Sequence, residues 1–308
     1  MHVMLLGTAA GGGVPQWNCR CRNCRMARAG LGQVRPRSQS SVAISADRRR
    51  WFLLNASPDL ARQIEAFPPL HPTGRHPRQT PLQAVLLTNA DLDHTLGLLS
   101  LRENPELLIY ASEETQLALT QGLALLPTLS KFCKTKLLKA SETRQRLRHL
   151  DGSACSLSFQ AFRVPGKRPR FAVGRKAAAA HGASAIGYKI VDEKTGGCLV
   201  YLPEILALTS QVISLIDDCD LLLFDGSFWS ENELAENGIT GRLASQMGHI
   251  PIAGEDGSLR GLAGMTAPQK VFVHINNTNP ILRENSRERR LALAAGWEIG
   301  HDGMEFKL

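Results

Sequence analysis

No run of apolar residues in the sequence approaches the roughly 18 to 20 that cross a bilayer, so a helical membrane span is excluded. The opening Met1-His2-Val3-Met4-Leu5-Leu6-Gly7 also lacks the basic start and long apolar stretch of a secretory signal. It predicts a buried first strand, and a cytoplasmic location is the expectation. Cysteine is too sparse and too uneven for a disulfide scaffold. Three of the seven crowd into residues 19–24, while Cys133, Cys155, Cys198 and Cys219 stand singly in or near apolar stretches and read as small core residues. Aromatic residues are few, at 6%, and none interleave with the short basic runs at 48–50 and 287–290. A net charge of +8 therefore reads as a solvated face with attraction for a small acidic substrate, not as a nucleic-acid surface. Internal repeats are absent. The loop Gly7-Thr8-Ala9-Ala10-Gly11-Gly12-Gly13 has neither the lysine of a P-loop nor the spacing of a dinucleotide fingerprint. Its glycines suit close approach of backbone to a ligand or metal.

What is present is enough for one sizeable core. The chain has 308 residues, 43% of them hydrophobic, and no stretch where it divides into two cores, so a single domain over 1–308 is expected. Eleven short apolar segments bounded by Gly, Pro, Asn or Asp predict strands: 2–7, 41–46, 51–55, 84–88, 107–111, 157–164, 186–191, 198–202, 221–225, 270–274 and 297–299. Helix starts are predicted at Ser57-Pro58 (stopped by Phe67-Pro68-Pro69), at Ser112-Glu113-Glu114, and at Pro203-Glu204 running toward Asp218. Segments 71–81 and 175–184 read as surface loops. So many strands with few helices do not fit one parallel sheet, and two packed sheets with helices outside fit better.

Two constellations carry chemistry. Asn18-Cys19-Arg20-Cys21-Arg22-Asn23-Cys24 is C-x-C-x-x-C, three thiols converging on one point in a polar loop that spans residues 18–25. Thiolates favour a soft or borderline ion such as zinc, and Arg20, Arg22 and Arg25 offset the charge. A redox pair, Cys21-x-x-Cys24, is the alternative. A structural zinc is favoured, with a distant histidine as the usual fourth ligand. The second constellation, Thr88-Asn89-Ala90-Asp91-Leu92-Asp93-His94-Thr95-Leu96-Gly97, sets oxygen and nitrogen donors at the end of a buried strand. That is a metal site or ordinary helix capping.

These residues resemble the metallo-β-lactamase superfamily, whose signature here is T-H-x-H-x-D-H-x-x-G. Thr88, Asp93, His94 and Gly97 match, while Asn89 and Asp91 replace the first two histidines. Gly7-Thr8 matches the first strand-loop, and Asn55 stands where an aspartate is usual. Tyr201-Leu202-Pro203-Glu204 takes the place of the bridging-aspartate motif, segment 270–274 resembles the strand bearing the last histidine, and Val164-Pro165-Gly166-Lys167 replaces the third metal-binding histidine. Together with the cysteine loop, Asp225-Gly226-Ser227-Phe228-Trp229, Met247-Gly248-His249-Ile250-Pro251-Ile252, His274-Ile275-Asn276-Asn277-Thr278-Asn279-Pro280 and Asp302-Gly303-Met304-Glu305, the departures resemble the pyrroloquinoline quinone (PQQ) biosynthesis protein B family over essentially the whole chain.

The resemblance implies an αββα fold of the α/β class, with two packed mixed sheets and helices outside. It also implies a role in PQQ biosynthesis: iron- and oxygen-dependent hydroxylation of the tyrosine ring in a Glu-Tyr dipeptide. A PQQ carrier without catalysis and a metal-dependent hydrolase are the alternatives. Few-histidine donor sets favour harder ions, and two histidines with one carboxylate suit Fe(II). His94, Asp93 or Asp91, and His249 or His274 are candidates for that set. Asn89, Asp91, Asp93, His94, His249 and Asp225 are the expected catalytic residues, with Asp93 and His94 holding the active-site metal. Relatives with the cysteine loop place a structural histidine where this chain has Asn277, which makes His274 the expected fourth ligand of Cys19, Cys21 and Cys24. The ligand is expected to be the small acidic, aromatic dipeptide or PQQ, with no nucleic acid or membrane partner, and a homodimer is left open. His2, His71, His76, His149, His181 and His301 read as surface or structural.

Overall fold

The structure is a computed structural model and describes all of the chain except residues 75, 77, 170, 172–184 and 267. Among the described residues the strands are β1 (His2–Gly7), β2 (Ser41–Ser45), β3 (Trp51–Leu54), β4 (Leu82–Leu86), β5 (Glu106–Ala111), β6 (Lys134–Lys139) and β7 (Gln145–Arg148). They continue with β8 (Ala154–Val164), β9 (Ala185–Asp192), β10 (Cys198–Leu202), β11 (Leu221–Asp225), β12 (Gln269–Val273), β13 (Trp297–Ile299) and β14 (Glu305–Lys307). Two seven-stranded sheets result, in the orders β14-β1-β2-β3-β4-β5-β6 and β13-β12-β11-β10-β9-β8-β7. Each is mixed. β3 to β6 run parallel in the first sheet and β10 to β13 in the second, with the remaining pairs antiparallel.

Alternation along the strands builds four layers. Leu221 and Leu223 of β11 face the core between the sheets, while Leu222 and Phe224 face an outer core shared with Val212, Ile216 and Ala292 from helices Ser210–Ile216 and Arg287–Ala294. On the other sheet Ala84 and Leu86 of β4 face inward, and Val85 packs outward with Leu60, Leu98 and Leu126. The parallel strands are apolar on both faces because helices cover their outer side. This is the expected αββα arrangement. No helix among the described residues is long and apolar enough to cross a membrane.

Every one of the eleven expected strands is present, and β6, β7 and β14 are additional. Those three lie on sheet edges and are largely polar, so neither an apolar run nor clean alternation marks them. Ser112 caps helix Glu113–Leu117 as expected, its Oγ accepting the Thr115 N–H at 3.1 Å. Near Ser57-Pro58 the helix begins later, at Leu60–Glu65, because Ser57 donates its hydroxyl to Gln63 at 3.0 Å instead of capping. The helix expected from Pro203-Glu204 is corrected more substantially. It starts only at Ser210, capped by Thr209, whose hydroxyl accepts the Val212 N–H at 3.2 Å. Residues 203–209 stay irregular because the Ile205 N–H is taken by Asp225 and Glu204 turns into the interior. The loop expected over 175–184, with His181, lies outside the described residues.

Candidate metal centres

Parallel strands deliver their functional side chains at one end of the sandwich, beyond their carboxyl termini. Asn55 follows β3, Thr88 and Asn89 follow β4, Glu204 follows β10, Asp225 ends β11 and His274 follows β12. The loop after β1 is braced by the chain's last motif. Asp302 accepts the Thr8 hydroxyl at 2.7 Å, and the Ser38 N–H and hydroxyl at 2.6 and 2.9 Å. That bracing brings Gly11 against the Asp93 carboxylate, where a Cβ would sit 3.3 Å from Oδ2.

Asp93, His94 and His274 offer one oxygen and two ring nitrogens, all within 4.8 Å of one another. His94 is fully buried, with Nδ1 2.6 Å from Asn89 Oδ1. If Nδ1–H donates to that amide oxygen, Nε2 keeps its lone pair, and this nitrogen is buried with no hydrogen-bond partner. Burial pushes the His94 pKa down to about 4, so the ring is neutral near pH 7, as a metal ligand must be. Asp93 Oδ2 lies 3.1 Å from His274 Nε2 and 3.9 Å from His94 Nε2. Burial opposes its ionisation, but both imidazoles hold the carboxyl well below the usual carboxylate range. An orphaned buried nitrogen beside an ionised oxygen and a second imidazole fits a cation. Two histidines and one carboxylate form the set that suits non-haem Fe(II).

Ser227 is the hub behind these ligands. Its Oγ lies 2.9 Å from His274 Nδ1, 3.1 Å from His249 Nδ1 and 2.7 Å from Asp225 Oδ1. His249 Nδ1 lies 2.8 Å from Asp225 Oδ2, and its ring stacks on His274 at 5.3 Å. Asp225 also accepts the Ile205 and Ser227 N–H groups, so its oxygens orient neighbours and are already engaged. Asn89, Asp91 and Glu204 form a separate network: the Asn89 amide donates to Asp91 at 3.1 Å and to Glu204. Burial and the Asp93 charge push Asp91 up to about 6. Burial and the neighbouring carboxylates push Glu204 well above its ordinary value. These three side chains are tied to one another.

The cysteines form their own centre. Cys19, Cys21 and Cys24 place three sulfurs within 4.8 Å of one another, and the Asn277 amide nitrogen lies 3.1, 3.5 and 3.3 Å from them. Ligands around a tetrahedral zinc stand about 3.5 Å apart, given Zn–S near 2.3 Å and Zn–O near 2.1 Å. The amide head therefore sits at the fourth corner, and turning it over would present its oxygen there. Burial pushes the Cys21 thiol up to about 12, a penalty that a cation among the sulfurs would remove. Three thiols with this geometry fit zinc. His274 is not part of this centre, which corrects its expected place as fourth ligand: its imidazole is engaged by Asp93 and Ser227.

Asn89, Asp91, Asp93, His94, His249 and Asp225 all gather at one end of the sandwich, as do Glu204 and Asn55. Missed from the sequence were Ser227 as hub and the cavity walls. A cavity of about 400 Å3 opens over Asp91, Asp93, His249 and His274, walled by Phe171, Phe228 and Met247 and by Lys167, Arg168 and Arg242. Ser227 lies inside the Asp225-Gly226-Ser227-Phe228-Trp229 motif, but nothing local distinguishes a hub serine from a turn serine. The four isolated cysteines are buried, as expected, and His149 packs on Phe52 at 5.6 Å as a structural residue.

Comparison with known proteins agrees with this architecture. Residues 50–275 match the family described as Beta-lactamase superfamily domain. The chain is 41% identical to coenzyme PQQ synthesis protein B of Methylorubrum extorquens (strain PA1), and 39% identical to that of Bradyrhizobium diazoefficiens, covering all of both partners in each case. It is also similar to the crystal structure of Zn2+-bound PqqB from Methylobacterium extorquens, with a TM-score of 0.90, 40% identity and complete coverage of both chains. A diphosphatase of the PhnP family, at 17% identity and a TM-score of 0.69, shares the fold.

Proposed function

We propose, from the premise that the chain belongs to the coenzyme PQQ synthesis protein B family and so to PQQ biosynthesis, that it hydroxylates the tyrosine ring of a Glu-Tyr dipeptide. The observation that carries this reading is the triad of Asp93, His94 and His274, whose donor atoms converge, with His94 Nε2 buried and without a hydrogen-bond partner. Iron held there would supply the redox chemistry that lets dioxygen attack an aromatic ring. One oxygen atom enters the ring and the other leaves as water. Two electrons come from the substrate C–H bond and two from an external reductant.

The chain's own residues supply the rest. Asn89 fixes the His94 tautomer, and Ser227 fixes the rings of His274 and His249. His249, held through Nδ1 by Asp225, keeps Nε2 for taking or returning a phenol proton in the cavity it lines. Asn89 and Asp91 stand where the superfamily signature has two histidines and are tied with Glu204 into one network, which weighs against the hydrolase reading. Cys19, Cys21, Cys24 and Asn277 would hold a structural zinc, in keeping with the Zn2+-bound relative.

The test uses protein prepared without oxygen, then given Fe(II), ascorbate, air and Glu-Tyr, with products read by mass spectrometry. Gain of oxygen by the dipeptide is expected, and His94→Ala should abolish it while retaining the cysteine-bound metal. A folded, iron-loaded protein that leaves Glu-Tyr unchanged would overturn the reading. The cationic cavity also favours a second reading, a PQQ carrier, which tight PQQ binding without oxygen transfer would support.

A further inference from the structure

The cavity is lined by charges of both signs. Asp91 and Asp93 line it beside the metal triad, while Lys167 and Arg168 come from the segment after β8 and Arg242 from the excursion between β11 and β12. Among the described residues, neither Arg168 nor Arg242 makes an ion pair with a carboxylate, although arginines elsewhere do. Arg163, for example, pairs with Glu114 and Glu142, both at 2.8 Å. The Arg242 guanidinium reaches Met247 Sδ at 4.0 Å.

Arg242 is nonetheless well placed. The excursion between β11 and β12 carries its own small apolar cluster, in which Phe228, Leu234 and Ala244 are buried and Met247 packs against them. Ala244 N–H donates to Glu231 O at 2.9 Å, and His249 N–H donates to Ala244 O at 3.1 Å. Arg242 is therefore two residues from a backbone position bonded directly to His249. Phe228 meets the His249 ring edge-on at 5.7 Å, which gives the cavity an aromatic wall beside the acid–base residue.

The arginines attract the carboxylates of a ligand entering this cavity to their own side of it, so its charge fixes its orientation. The aromatic end is left facing His249 and the metal triad. We infer that Arg242, together with Arg168, is the specificity determinant of the site: a clamp for the carboxylates of a planar aromatic ligand whose ring packs by Phe228. This deepens the reading above and rests on it, because both Glu-Tyr and PQQ combine an aromatic ring with several carboxylates. Arginine suits the role through its planar fork, which pairs a carboxylate with two parallel hydrogen bonds.

The test measures Kd by calorimetry on the metal-loaded full chain, for Glu-Tyr, for PQQ and for Gln-Tyr amide, which keeps the ring but has no carboxylate. Arg242→Gln is expected to weaken Glu-Tyr or PQQ by about tenfold or more, the loss typical of one charge-assisted pair. It should leave the amide unchanged and flatten the salt dependence of carboxylate binding. Arg242→Lys should restore part of the affinity, and Arg168→Gln should repeat the pattern. Arg242 is exposed, so the melting temperature of the variant should match the wild type. A loss confined to PQQ or to Glu-Tyr names the ligand and supports the clamp. Equal losses for the amide, or no loss for any ligand, would overturn it. If the wild-type protein binds neither PQQ nor Glu-Tyr, the functional reading fails and the clamp with it. If the wild type binds them and Arg242→Gln binds as well, only the clamp fails.

Discussion

Replacing Glu233 by glutamine should change how stability depends on pH. Glu233 opens the short helix Glu233–Glu236 and is only 2% exposed. Its carboxyl accepts the Trp229 N–H at 2.5 Å and hydrogen-bonds the Thr278 hydroxyl, one residue beyond Asn277. Among the described residues no cation forms an ion pair with it, and burial pushes its pKa from 4.5 up to about 7. Because the folded-state value is raised, the folded chain holds this proton between about pH 4.5 and 7 while the unfolded chain has lost it. Stability from this group is complete below pH 4.5 and declines as pH rises through the folded value. At about 1.4 kcal/mol per pH unit, the loss reaches about 3.4 kcal/mol by pH 8. Glutamine mimics the protonated acid, with an oxygen for Trp229 and an N–H for Thr278. Guanidinium unfolding of both proteins with zinc in fixed excess, from pH 5 to pH 8, cancels every titration except this one. The difference in unfolding free energy should move by about 2.5 kcal/mol in favour of Glu233→Gln across that range. Parallel stability curves would show that Glu233 titrates normally and refute the reasoning.

Cys21→Ser removes one sulfur from the cysteine centre. The variant should lose zinc by elemental analysis and melt at least about 6 °C lower, since structural metal binding contributes folding free energy. Unchanged zinc and melting temperature would sink that assignment. Gly97→Ala should cost about 3 kcal/mol by denaturant unfolding, because the added Cβ falls 2.1 Å from Ser57 O and 2.8 Å from Ala56 O, both of them backbone atoms. A cost under about 1 kcal/mol would show that the Ala56–Ser57 segment yields where this packing says it cannot.

Much of the architecture was legible because the parallel strands are apolar on both faces and short enough to stand out. The edge strands were not, since Lys134–Lys139 has neither a long apolar run nor alternation and is made a strand by pairing with β5. Pro203-Glu204 looked like a helix start by local chemistry. Tertiary demand overrode it, because Glu204 is needed in the interior and Asp225 captures the next N–H. In the site, Asp93 and His94 were visible as a motif, but the arginines were not. Arg168 and Arg242 are distant in sequence and lie in segments without periodicity, so only the fold brings them to one cavity.

The misplaced His274 has a geometric cause. His274 adopts a left-handed backbone, φ +56°, at the end of β12. For a residue bearing a Cβ this conformation is costly and is held only by its surroundings. Ser227 supplies them by donating to the His274 carbonyl and meeting Nδ1, each at 2.9 Å. The turn sends His274 to Asp93 and, three residues later, Asn277 to the thiols. Reading along the chain, both residues were equally available to the cysteines, and histidine is ordinarily the better zinc ligand. The fold chose by direction, not by affinity. The cysteine loop then grips the same turn from its other side, since Asn23 donates to the carbonyls of Asn277 at 3.0 Å and Asn279 at 2.8 Å. A centre far from the chemistry in sequence thus fixes the segment that carries His274. A metal at the cysteines would act on the active site through the rigidity of residues 274–279, without touching any ligand there.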